Sequence, residues 1–498
     1  MQVQVGSTQA ANLSTDILVF GVQGSGGRRS PAWKALNAVL GGGLNSLLKI
    51  QGWKGKAGEM ASFPAPRGSR ARLLVLGSLG EKGDSTAAIR SLAIKVGGLV
   101  AKSGLERAAF YLDPAMGSNQ ALDRTAAQAI GEGLVWGAYR FDRHQSKAES
   151  HGTPTSTYLY FEGRKQRPAL AEAIRQGGII GEAQNMSRDL VNEPGNIINP
   201  ETLTDFARQL AADEGLGIEV LDEDECMKRG MGAFLAVGQG AETKSALVHL
   251  SYVPSGRARR RVALVGKAVT FDAGGLCLKT AAGQATMKMD MGGSAAVIGA
   301  IRAAAQLKID TEVHAIFAAT ENLLGAAAYR TGDVIKASNG KTIEVLNTDA
   351  EGRLTLADAL HFACGLEPDA IIDLATLTGA CVVALGPSVA GIMGSGRGLI
   401  RDLRAAGDRA GEVLWELPMP NEYRELIQSK VADVQNIGGR WGGAITAGMF
   451  LREFVDESIP WAHIDIAGPC YIEKPIGGKP VGATGFPVRG LVEWLQHS

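Results

Sequence analysis

At 498 residues the chain is too long for one ordinary hydrophobic core, so two or three domains are expected. A hydrophobic fraction of 45% with 20% charged residues is that of an ordinary soluble globular protein and sets aside a largely disordered chain. The net charge of zero hides an asymmetry: residues 1–167 carry 21 Lys+Arg against 11 Asp+Glu, and the remainder carries 30 against 40. Bound cations belong with the acidic remainder, whereas the basic first part serves solubility or, alternatively, contact with DNA.

The chain starts MQVQVGSTQA, without a basic region or an apolar core, so no signal peptide is expected there. ARLLVLGSLG (71–80) reads as a buried strand ending in glycine turns, SLAIKVGGLV (91–100) as a helix, and 143–154 as a polar loop. A charged run, GRKQRP, leads into ALAEAIRQGGIIGEAQNMSRDLVN (169–192), a helix placed to join two domains. The expected division is an α/β domain over 1–167, a linker helix over 168–190 and a larger α/β domain over 191–498. In that larger part, RVALVGKAVTFD (261–272) is a strand, SAAVIGAIRAAAQL (294–307) a helix and TEVHAIFAAT (311–320) a strand. A helix starts near Leu354, and DAIIDLATLTG (369–379) and WAHIDIAG (461–468) are strands. Residues 374–396 carry no charge and imitate a membrane span. Thr376, Thr378, Pro387 and several glycines argue instead for a buried strand followed by a loop. Continuous apolar strands alternating with helices indicate a mostly parallel sheet covered on both faces. Functional groups in such folds gather at the carboxyl ends of the strands.

Two stretches carry the chemistry: VGKAVTFDAGGLCLKTAAGQATMKMDMGG (265–293) and NTDAEGRL (347–354). They supply four carboxylates, Asp272, Asp290, Asp349 and Glu351, together with Lys267, Lys279 and Arg353. Asp349 and Glu351 have an ordinary explanation as acidic residues at a helix start. Four carboxylates converging in a partly buried site need more: protons or cations must neutralise them. Two divalent ions balance the four charges, and such a pair acidifies a water and polarises a carbonyl. Oxygen ligands suit Mg or Mn, and zinc accepts carboxylate and amine as well. None of the seven histidines lies in either stretch, and HExxH and a GxSxG elbow with a plausible triad are missing. ASNGKT (337–342) fails as a phosphate loop because Ile335 stands where its first glycine is required. The five cysteines form no CxxC pair, which fits reduced thiols in a cytoplasmic enzyme.

NTDAEGRL, with VGKxxTFDxGGLxLK and MKxDMGG upstream and HIDIAG near the end, resembles the leucyl aminopeptidases of the cytosol aminopeptidase family. The resemblance implies an aminopeptidase that removes N-terminal leucine and other apolar residues. It has a smaller N-terminal α/β domain and a larger catalytic one, and acts as a cytoplasmic homohexamer on peptides with a free N-terminus. Lys267, Asp272, Asp290, Asp349 and Glu351 match the ligands of two divalent ions, Mn or Zn, with Mg or Co as alternatives. Lys279 matches a catalytic lysine, and Arg353 the arginine that holds a bicarbonate. Met287, Thr376, Gly379 and Ala467 match the pocket for the first side chain. The implied reaction is attack on the peptide carbonyl by a hydroxide bridging the two ions, with the substrate amine on one of them. Lys267 must then be neutral, and Lys279 must keep its charge to face the oxyanion. The chain departs from the family at Ala273, where serine is frequent, and in ENLLGAAAYRTGDV (321–334), which lacks Pro-Ser-Gly and has Thr331 for proline. A third departure is Cys470, where some relatives have methionine.

Overall fold

The structure is a computed structural model that describes residues 2–6, 15–22, 30–80, 85–112, 120–146, 156–160, 167–476 and 480–497. Part of the polar loop expected at 143–154, and most of GRKQRP, lie outside the described residues. Two compact units divide the chain, residues 1–185 and 186–498, and the helix Arg167–Asn192 spans the division.

The first unit holds a six-stranded sheet: β1 (Gln2–Gly6), β2 (Ile17–Val22), β3 (Met60–Pro64), β4 (Leu73–Ser78), β5 (Arg107–Leu112) and β6 (Ser156–Tyr160). Its order is β1-β6-β5-β2-β4-β3, parallel throughout except for the antiparallel edge strand β3. Successive side chains of a strand face opposite ways, and here both ways lead to a core. Ile17, Val19 and Val75 pack with Leu92, Val96, Ile130 and Ile174 from three helices, while Leu18, Phe20, Leu74 and Leu76 pack with Trp33, Leu36 and Leu44. That double burial is why ARLLVLGSLG reads as a continuous apolar run. Two of those helices, Ser85–Ser103 and Gln120–Ala138, cross so closely at Gly137 that an added Cβ would lie 2.0 Å from the carbonyl oxygen of Ile94.

The second unit is built on an eight-stranded sheet. Its strands are β7 (Gly217–Leu221), β8 (Ala246–Tyr252), β9 (Arg261–Asp272) and β10 (Glu312–Asn322), then, after a small three-stranded sheet begins with β11 (Val334–Lys336) and β12 (Thr342–Glu344), β13 (Ala370–Ala375), β14 (Ala390–Gly394) and β15 (Leu414–Glu416). β16 (Val434–Gln435) completes the small sheet, and β17 (Trp461–Asp465) the large one. The large sheet runs β15-β14-β17-β13-β9-β10-β8-β7. Its four central strands, β17, β13, β9 and β10, are parallel, and antiparallel pairs flank them on both sides. Their carboxyl ends, Asp465, Ala375, Asp272 and Asn322, therefore lie along one edge, where functional groups gather in sheets of this type.

The helix Gly292–Leu307 sits directly on this sheet, with Gly293 so close that a Cβ would stand 2.0 Å from the Leu374 carbonyl oxygen. The stretch 374–396 differs from its sequence reading. β13 ends at Ala375, Thr378 caps a short helix (Gly379–Leu385), and β14 follows at Ala390. The helix went unread because it is barely two turns long, too short to establish a period. Among the described residues no helix is long and apolar enough to cross a membrane.

Candidate metal centre and its cavity

Lys267 is on β9 and Asp272 is its last residue. Met287 and Asp290 belong to a 3₁₀ turn (Met287–Met291) immediately before the helix Gly292–Leu307. Asp349 lies in the loop before the helix Gly352–Cys364, Glu351 is that helix's N-cap, and Arg353 is its second residue. Thr376 follows β13, Gly379 opens the short helix, and Ala467 follows β17. All eleven residues singled out by the sequence line one cavity of about 1050 Å³.

Asp272, Asp290 and Glu351 are buried, and each offers an oxygen within 4.8 Å of the others'. The ammonium of Lys267 stands between them, 2.7 Å from Asp290 Oδ2 and 2.8 Å from Glu351 Oε1, and donates at 3.0 Å to the carbonyl of Thr376. Lys279 lies 2.8 Å from Asp272 Oδ2 and pairs with Asp349, which stands outside the close trio and is partly exposed. The Glu351 side chain makes no helix-capping hydrogen bond. It stands at the helix start, as expected, but its partner is the Lys267 ammonium.

The electrostatics are those of a crowded anion cluster. Burial pushes the Asp272, Asp290 and Asp349 carboxyls above the usual carboxylate range, and neighbouring carboxylates push them further. Burial opposes the charges of Lys267 and Lys279, but the surrounding carboxylates outweigh it and raise both. Two lysines answer only half of the four negative charges, so the cluster favours additional cations or protons. Its donors, carboxylate oxygens and an amine nitrogen, suit Mn, Zn or Mg. On that chemistry the residues fit a divalent-metal centre.

Arg353 lines the cavity but is largely buried, and burial lowers its guanidinium to about 10 against the pull of Glu351 and Asp465. It donates 2.7 Å to the Asn436 carbonyl, and its Nε has no hydrogen-bond partner among the described residues. Thr376, expected only as a pocket residue, also donates its hydroxyl to Asp290 Oδ1 at 2.8 Å. Cys470 is buried behind Gly292, where an added Cβ would stand 2.2 Å from its sulfur, and does not line the cavity.

The sequence reading missed a supporting layer. Asn322, Thr348, Tyr329 and Asn436 are buried or nearly so and hydrogen-bond to the ligand-bearing segments. Leu377, Val382, Ile437 and Ile472 add apolar cavity wall. No local motif marks them. For Asn322 the only signal was the strand itself, which runs two residues beyond the point where its apolar pattern ends.

Gly352 explains one constraint of NTDAEGRL. A Cβ there would lie 2.4 Å from Lys267 Cε and 2.6 Å from Nζ. Both oxygens of Asp290, Glu351 and the Thr376 carbonyl hold Lys267 in place, so Gly352→Ala would force its ammonium out of that position by about 1 Å, a displacement that costs roughly 10²-fold in rate. The expected result is that loss in kcat/KM with a melting temperature within a few degrees of wild type; activity within twofold of wild type would contradict it.

The cytosol aminopeptidase family's catalytic domain matches residues 185–492, and its N-terminal domain matches residues 18–148. A probable cytosol aminopeptidase of Aquifex aeolicus is 44% identical over 452 residues, covering 90% of this chain and 89% of the relative. One of Sulfurihydrogenibium sp. is 41% identical over 497 residues, covering 99% and 98%. Among solved structures, a mutant of tomato leucine aminopeptidase superposes with a TM-score of 0.91 at 35% identity, covering 100% of this chain and 97% of that one. The bottromycin maturation enzyme BotP in complex with Mn gives 0.84 at 32% identity, covering 97% and 99%.

Proposed function

The chain belongs to the cytosol aminopeptidase family and is a leucyl aminopeptidase-type hydrolase, and from that premise we propose that it releases leucine and other apolar residues from the N-termini of peptides with two divalent metal ions. The observation that carries this reading is the convergence of three buried carboxylates and Lys267 at the carboxyl ends of the central strands, inside a cavity large enough for a peptide end. The Mn complex of BotP supports a metal of that class.

Lys267, Asp272, Asp290, Asp349 and Glu351 would hold the ions, with Lys267 giving up its proton to become a neutral donor. When bound, the ions supply an acidified water, a polarised carbonyl and an anchor for the substrate's free amine. That anchor limits cleavage to the first peptide bond. Lys279 keeps its proton and faces the oxyanion that develops on the carbonyl. Arg353, which lines the cavity, would hold a bicarbonate whose role is to accept and return the proton. Met287, Thr376, Gly379 and Ala467 would surround the first side chain; at Gly379 an added Cβ would meet nothing within 4 Å, which leaves room there. Family membership also underlies the proposals of a homohexamer, a cytoplasmic setting and Mn or Zn as the ions. DNA binding through the basic first part draws no support from the matched families.

The test is hydrolysis of leucine p-nitroanilide by protein stripped of metal with a chelator. Turnover is expected to vanish and to return when Mn or Zn is added to two equivalents per chain. Full activity after stripping, or none after reconstitution with any of Mn, Zn, Mg and Co, would end the reading.

A further inference from the structure

At the end of β10 the pairing with β9 slips by one residue: Thr320 is opposite Val269, but Glu321 is opposite Phe271 and Asn322 opposite Asp272. A slip of this kind re-aims side chains beside functional sites. Paired residues of parallel strands project to the same face, so the slip sets the Asn322 amide against the Asp272 carboxylate. Without it, Asn322 would stand opposite Phe271 and face away.

Asn322 is fully buried. Its Nδ2 donates to Asp272 Oδ1 at 2.9 Å and to the Thr348 carbonyl, one residue before Asp349, at 3.0 Å. Its own Oδ1 has no hydrogen-bond partner among the described residues, so the amide is placed by its two donor bonds. The Gly274 amide gives Asp272 Oδ1 a second hydrogen bond at 2.8 Å. One oxygen of Asp272 is thus occupied by neutral donors, while Oδ2 is turned to Lys279. Thr348 completes the clamp: its carbonyl also accepts from Tyr329 at 2.7 Å, and its hydroxyl donates to the Gly274 carbonyl at 2.7 Å.

We propose that Asn322 is a positioning residue for the metal centre: one amide sets which oxygen of Asp272 faces the ions and holds the Asp349 segment in register with it. The inference rests on the metal-centre reading given above. A donor of this kind serves two ligand-bearing segments from different parts of the chain without adding charge. Outer partners of metal ligands typically contribute about 10–100-fold in metal affinity.

The experiment is calorimetric titration of metal-stripped protein with Mn²⁺, comparing wild type with Asn322→Leu, which keeps the shape and loses both donors, and Asn322→Ser, which keeps one. Asn322→Leu is expected to bind Mn²⁺ about 10–100-fold more weakly, with Asn322→Ser in between, and excess Mn²⁺ is expected to restore much of kcat while KM for leucine p-nitroanilide stays within a few-fold. If Asn322→Leu does not fold, Asn322→Ser against wild type decides alone. Wild-type Mn²⁺ affinity in the folded variants would overturn the role given to Asn322. Wild-type protein that binds no Mn²⁺ would instead overturn the metal-centre reading beneath it.

Discussion

Lys279→Ala is expected to keep its metal and lose about 10²–10³-fold in kcat, the effect of removing one oxyanion-stabilising donor. The two consequences have separate causes. In the metal-free protein Lys279 neutralises Asp272 and Asp349, so deleting it leaves those carboxylates more exposed to an incoming cation, and metal affinity holds or rises. What disappears is a positive charge that burial would suppress and the carboxylates retain, and that in the proposed mechanism faces the carbonyl oxygen as it becomes negative. Metal content after gel filtration and steady-state kinetics check both halves. Unchanged kcat would refute the role of Lys279, and lost metal would move Lys279 among the groups that build the site.

Glu351→Ala is expected to fail earlier, at metal binding. Glu351 is one of the three buried oxygen donors and the partner of Lys267. Losing one of three close oxygen donors is expected to weaken metal binding by at least the roughly 10–100-fold that losing a mere outer partner of a ligand costs. The metal-free fold should survive, because the cluster carries excess negative charge and Lys267 retains Asp290. Thermal melting separates the effects. Mn²⁺ should raise the melting temperature of wild type, since a ligand bound only by the folded state stabilises it, and should leave the variant unmoved. An equal rise in both proteins would remove Glu351 from the metal centre. Together the two variants distinguish a residue that acts on the substrate from one that holds the ions.

Much of the site was legible because its donors are concentrated in two short stretches. Lys267, Asp272 and Lys279 are separated by one strand end and one glycine loop, and Asp349, Glu351 and Arg353 by a helix start. The strand end places Asp272 at the carboxyl edge of the parallel sheet, and the fold brings the helix start at Gly352 to the same cavity. Asn322 was not legible because its position depends on a slipped pairing between two strands, and no residue in its own neighbourhood signals that slip. The strands DAIIDLATLTG and WAHIDIAG also conceal polar chemistry that an apolar pattern does not reveal. Asp373 in β13 accepts from the Trp461 indole at 2.7 Å and pairs with His463 at 2.5 Å, all three buried inside the sheet. Each would look unfavourable in isolation, and cross-strand partners make their burial tolerable.

What the sequence determines by itself is the alternation of strand and helix, the presence of a clustered excess of carboxylates, and the stretches that carry them. These follow from periodicity and charge, which are properties of neighbouring residues. Only the tertiary structure decides that Asp272, Asp290 and Glu351 close to within 4.8 Å while Asp349 stays beside Lys279. It also decides that Asn322 occupies one oxygen of Asp272 and that Thr376 serves Asp290 as well as the cavity wall. Those outcomes depend on strand order, a one-residue slip and the burial that strengthens charge interactions, and none of these is encoded in any single segment.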